Sequence, residues 1–260
     1  STLPSTASAL PSQVSATATI EKGLYKHLRF GGLSGRLTIQ DGMLDLDRVV
    51  AQSGTGHAAG RMVVRLPKGQ PAETETSLRM TGIPVESLLP LLGAHDQPVT
   101  GEMKLTGVIR GHGRNPHGVL PTLNGKVELV MQDGRILKTE KRAISKIRST
   151  LNLPPVYQGK VELEKEGLQY NRASTTLTIQ NGLVKTQNIV LDSPVLKISA
   201  VGSYDMPTDQ LDMIWAVSPF GSYSQFLKSI PLFGRLIAGD RKGLATALFQ
   251  VKGSIDDPDV

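Results

Sequence analysis

The chain has 260 residues, a formal net charge of +6 and no cysteine, which excludes disulfides and thiolate metal sites. Only 4% of the residues are aromatic, while glycines number 27, a profile of many short strands and turns rather than of a compact helical enzyme. No apolar run reaches the roughly 18 residues that a membrane-spanning helix needs. The first residue is Ser, so we read a segment of a longer protein with any anchor outside it.

Residues 1–20 are rich in Ser, Thr, Ala and Pro and read as a linker or edge segment. From residue 21 the chain reads as one β domain to residue 260. Leu37 and Ile39 alternate with polar neighbours before the hairpin signal Asp41-Gly42, where glycine tolerates positive φ. Leu44 and Leu46 alternate with Asp45 and Asp47, and Met62 and Val64 with Arg61 and Arg65. Leu78 and Met80 follow, then Met103 and Leu105, then Val127, Leu129 and Met131 before a predicted turn at Asp133-Gly134. Val161 and Leu163 resume the alternation. Leu177 and Ile179 precede Asn181-Gly182. Leu196 and Ile198 come next, then Met213 and Trp215. Each such strand has one apolar and one polar side, and so many in succession predict a long, curved antiparallel sheet with one dry or lipid-lined face. The hexapeptide Leu37 to Gly42 returns almost unchanged as Leu177 to Gly182, which suggests a diverged internal repeat.

Helical spacing appears in three places. Residues 84–93 carry Val85, Leu88, Leu89 and Leu92, enough for a short cap. Residues 138–152 place Ile144, Ile147 and Leu151 on one side, with Lys138, Lys141, Arg142, Lys146 and Arg148 mostly elsewhere; Pro154 and Pro155 stop the pattern. This basic helix fits a cap with a solvated face, a membrane-surface helix or a nucleic-acid contact; no aromatic residues interleave to stack bases. Residues 222–239 open on a Ser222/Gln225 capping box and bring Phe226, Ile230, Phe233 and Ile237 to one face. Pro231 predicts a kink there. These apolar residues could plug the sheet, close a groove or dip into a bilayer interface. Phe249, Val251 and Ile255 then alternate as a last half-buried strand.

The search for chemistry is mostly negative. His27, His57, His95, His112 and His117 make no i, i+4 metal pair; His112 and His117 lie in a Gly/Pro-rich loop. Asp45 and Asp47 share a side and read as solvent-facing partners of Leu44 and Leu46. Gly54 to Gly60 misses the dinucleotide fingerprint by one residue and lacks the helix that should follow. There is no Walker A sequence and no nucleophile elbow. We expect no enzyme, no cofactor and no metal.

The tail carries a resemblance. Ser229 to Gly234, Arg241 to Gly243, and Phe249 to Val260, in that order, resemble the C-terminal region of the AsmA-like family of bacterial envelope proteins, with its YhdP and TamB relatives. The likeness extends through the repeated strands from about residue 30. It implies a mainly β, taco-like groove with short capping helices, in a protein anchored in the inner membrane of a Gram-negative bacterium and spanning the periplasm. It further implies a phospholipid or other acyl-chain partner carried toward the outer membrane. The groove would be lined by Leu37, Ile39, Met62, Val64, Met103, Leu105, Val127, Leu129, Met131, Val161, Leu163, Leu177, Ile179, Leu196, Ile198, Met213 and Trp215. Phe226, Ile230, Phe233, Ile237, Ile144, Ile147 and Leu151 would cap it or touch a membrane. No nucleic acid is expected. A second reading is an assembly scaffold whose free strand edge pairs with outer-membrane β-barrel proteins.

Overall fold

The computed structural model describes residues 13–25, 28–88, 99–137, 167–194, 196–219, 247–255 and 258–259. They form one open sheet of twelve antiparallel strands in sequential order. The strands are β1 (Gln13–Tyr25), β2 (Leu28–Gln40), β3 (Met43–Ser53), β4 (Gly56–Arg65), β5 (Ala72–Pro84) and β6 (Glu102–Gly113). They continue as β7 (Asn124–Ile136), β8 (Leu168–Gln180), β9 (Leu183–Asp192), β10 (Leu196–Asp205), β11 (Gln210–Pro219) and β12 (Ala247–Gly253). Two short helices, α1 (Val85–Leu88) and α2 (Pro116–Val119), are the only α-helices among the described residues. Every strand pairs with its sequence neighbour, the arrangement that simple alternation and short turns favour.

Two of the three predicted turns form where glycine was expected to allow them. Asp41 and Gly42 have φ of 48° and 73°, and Asn181 and Gly182 have 50° and 79°, the pair of positive angles that a two-residue turn matching the sheet twist requires. The recurring hexapeptide is thus a recurring hairpin, β2–β3 and then β8–β9, six strands apart. Each hairpin also carries a register shift at the same distance beyond its turn, between Leu46 and Val49 in β3 and between Thr186 and Ile189 in β9. A shared turn followed by a shared bulge supports two related halves of six strands.

Two expectations are corrected, the turn at Asp133-Gly134 and the strand position of Ile255. Asp133-Gly134 is not a turn: β7 runs through it, and Asp133, with φ of 50°, interrupts the regular pairing there. Asp and Asn tolerate that conformation through local hydrogen bonding, which is also why the dipeptide mimics a hairpin signal. The predicted helix at 84–93 is helical over Val85–Leu88; the remainder lies outside the described residues. Gln13 to Ile20 belong to β1, the edge strand. Ile255 lies beyond β12 and is 53% exposed. The helices expected at 138–152 and 222–239, and the strand at Val161 and Leu163, lie outside the described residues.

The sheet is curved as well as open. Bulges in β2, β3, β5 and β9 each add a residue to one strand, which bends and coils a sheet. At Gly125 an added Cβ would sit 2.2 Å from the Val108 carbonyl oxygen, so only glycine admits that close approach between neighbouring strands. Helix α1 comes within 8 Å of β2, although β3 and β4 intervene. Three flat strand spacings would total about 14 Å, so the sheet curls between them with the helix leaning inward.

Candidate functional site

Register decides which side chains share a face, because directly paired antiparallel residues point the same way. One row crosses ten strands: Leu37, Leu46, Met62, Thr76, Ile109, Gly125, Ile179, Val184, Tyr204 and Leu211 are successive partners. A second row joins Met103, Met131, Ala173, Leu191, Ile198 and Val217. Following the pairings through the bulges places Leu37, Ile39, Met62, Val64, Met103, Leu105, Val127, Leu129, Met131, Leu177, Ile179, Leu196, Ile198, Met213 and Trp215 on one face. The bulges preserve this phase. In β5, for example, the extra residue between Met80 and Ile83 keeps Ile83 opposite Met103.

The other face carries the ion pairs, interspersed with apolar residues such as the buried Val63 and the exposed Val108, Ile214 and Leu248. Arg61 grips Asp45 with two guanidinium nitrogens, Nε at 2.9 Å from Oδ1. Arg110 grips Glu75 in the same way at 3.0 and 3.3 Å. The bound guanidinium holds the carboxyl of Asp45, and likewise that of Glu75, below the usual carboxylate range. Asp45 and Asp47 therefore lie on this face, opposite Leu44 and Leu46. Gly54 and Thr55 make the β3–β4 turn. His112 lies exposed on β6 and His117 in α2. Among the described residues no group of His, Asp or Glu is placed to hold a metal.

The apolar face is not uniform along the sheet. Toward β1 it is open: Val14 is 52% exposed, Ile20 46%, Ile39 42% and Met62 41%. Toward β12 it is packed: Ile179, Leu196, Ile198, Met213, Val217 and Val251 are all buried. Tyr170, Ala173, Leu191, Leu196, Ile198, Val217 and Phe249 form one cluster, with Met131, Ile136, Leu168 and Trp215 against it. Leu37, Val64, Leu105, Val127, Leu129 and Leu177 are intermediate. Tyr170, absent from the sequence reading, is wholly buried and donates its hydroxyl to the Thr100 carbonyl at 2.6 Å. Burial raises its phenol pKa, helped by the charges of Glu86 and Asp133. Its position follows the Asp133 irregularity, which strict alternation from Leu177 does not anticipate.

The two sheet edges also differ. On β12 the chain turns back, and Lys252 and Asp259 exchange backbone hydrogen bonds at 2.9 and 2.7 Å. Asp209 anchors that return: its carboxylate accepts from Tyr204, from Ser254 and from the Ile255 amide. These donors lower its pKa. On β1 the outer edge has no strand beside it among the described residues. Val161, Leu163, Ile144, Ile147, Leu151, Phe226, Ile230, Phe233 and Ile237 lie outside the described residues.

A family described as "YhdP protein" matches residues 5–260. Among curated proteins, the chain is similar to the "AsmA family protein YhjG" of Escherichia coli (strain K12), 26% identical over 117 residues. The aligned part covers 45% of this chain but 16% of that protein, so the chain spans only a small part of its relative's length. No solved structure matches the chain. No described helix is long and apolar enough to cross a membrane, which says nothing of strands.

Proposed function

Because this chain belongs to the YhdP protein family, we propose that it is a non-enzymatic segment of a periplasmic lipid-transfer protein. It shields phospholipid acyl chains on its apolar face as they pass between the inner and outer membranes. The carrying observation is the continuous apolar face, exposed on the β1 side. Fully covering one large apolar side chain is worth roughly 1.5–3 kcal/mol, so an acyl chain lying over several of them gains enough to offset its own immobilisation. The packed side toward β12 provides the rigid support, and acyl contact is confined to the open strands. This restricts the lining set: Leu37, Ile39, Met62 and Val64 touch lipid, whereas Ile179, Leu196, Ile198 and Met213 serve the core.

Native mass spectrometry of protein purified without detergent tests this reading. It expects bound phospholipid in the wild type and a large loss in Met62→Asp, with the fold retained. Lipid-free wild-type protein, or full occupancy in Met62→Asp, would overturn it.

A second reading, an assembly scaffold for outer-membrane β-barrel proteins, draws on the β1 edge, which has no strand beside it among the described residues. An added strand there would bond to the β1 backbone. Photocrosslinkers at Ser15 and Thr17 that capture barrel strands, in protein free of lipid, would favour it over transfer.

A further inference from the structure

Beyond the apolar face, the β1–β2 ribbon ends in a shallow, open depression of about 450 Å³. It lies next to the Ile20–Leu33 pair of the open apolar face. Lys22 and Arg29 line it together with Leu24, Phe30 and the glycines Gly23 and Gly54. The construction is amphipathic. Leu24, paired with Arg29 and on the same face as Lys22, is 65% exposed, while Phe30 packs over its partner Gly23 on the reverse face of the ribbon. The Arg29 backbone is tied down, since its carbonyl accepts the Ser53 hydroxyl at 3.0 Å. Several exposed cations, among them Arg79 and Lys104, have no carboxylate partner among the described residues; Lys22 and Arg29 differ from them in lying beside exposed Leu24. Lys22 and Arg29 also have none among the described residues, and Glu21 beside them makes no ion pair with either.

We propose that this depression is a head-group site, in which Lys22 and Arg29 hold the phosphate of an anionic phospholipid whose acyl chains run onto the apolar face at Ile20 and Leu33. Two unneutralised cations beside exposed apolar surface match a molecule that is anionic at one end and apolar at the other. Guanidinium and ammonium groups both make strong charge-assisted hydrogen bonds to phosphate oxygens. The proposal rests on the lipid reading above and adds a charge preference to it.

Calorimetry with the whole chain tests it, using three probes. These are dihexanoyl phosphatidylglycerol below its micelle concentration, uncharged dihexanoylglycerol, and inorganic phosphate. The wild type should bind phosphatidylglycerol more tightly than dihexanoylglycerol. Lys22→Gln/Arg29→Gln should lose about tenfold in affinity for phosphatidylglycerol and keep its affinity for dihexanoylglycerol. Arg79→Gln/Lys104→Gln, on the ion-paired face, should change neither. Unchanged phosphatidylglycerol binding in the first variant would overturn the head-group site while leaving the acyl-chain reading intact. Inorganic phosphate binding as tightly as phosphatidylglycerol would replace it with a free-anion site. Failure of the wild type to bind either lipid would remove both readings.

Discussion

Asp45 and Arg61 show what the charged residues of the ion-paired face contribute. The Asp45 side chain is 16% exposed while Arg61 is 57% exposed, so solvent screens the pair and its share of stability is modest. Its pH signature is nevertheless definite. The carboxyls of Asp45, Glu75, Glu128 and Asp209 all sit below their ordinary values in the folded chain. A depressed carboxyl pKa adds stability above the unfolded value of about 4 and loses it as pH falls through the folded value. The urea midpoint should therefore stay level from neutral pH down to about 5 and drop below about 4. Arg61→Gln should blunt that drop; an identical acid profile would mean the pair is energetically silent. At Asp209 the same carboxylate holds the returning C-terminal residues. Asp209→Asn should speed amide exchange at Lys252 and Asp259 while leaving β2 to β6 protected.

Among the elements, the strands with irregular backbone are the informative ones. β7 passes through Asp133 at φ of 50°, which a β-branched side chain tolerates poorly. Asp133→Val should cost about 1–3 kcal/mol in denaturant unfolding, and Asp133→Gly should be close to neutral. Equal effects would mean the backbone at residue 133 relaxes on substitution. The β2–β3 and β8–β9 hairpins were legible from Leu37 to Gly42 and Leu177 to Gly182, because turn residues and alternation speak together there. The bulges were not. Nor was Tyr170: counting in twos from Leu177 reaches residues 171 and 169, although β7 and β8 keep one register on both sides of Asp133.

Across the whole molecule, the apolar face divides into an open part and a packed part, and the two should answer differently to the same chemistry. Val217 is 1% exposed and Ile198 8%. Ile198→Ala should cost about 2–4 kcal/mol by leaving a cavity, and Val217→Asp should prevent stable folding by burying an unpaired charge. Ile39→Asp, at an open position, should leave the urea midpoint within about 1 kcal/mol of wild type. If all three unfold the chain alike, the face is packed throughout and no surface remains for an acyl chain. The two edges are also unequal, since the chain's own return at Asp259 pairs with Lys252 near the end of β12.

The sequence by itself determined the fold class, the hairpin turns, the family resemblance and which side chains of each strand are apolar. Those are properties of a few neighbouring residues: a period of two, a glycine that accepts positive φ, a short ordered run of motifs. Which part of the apolar face is covered, that Tyr170 and Phe249 join one cluster, that Lys22 and Arg29 line one depression, and that Asp259 returns to Lys252 were decided only by tertiary structure. Each of those depends on curvature, strand register and contacts between residues far apart in the chain. Identical alternation produces the same strand whether its apolar side ends against protein or against solvent.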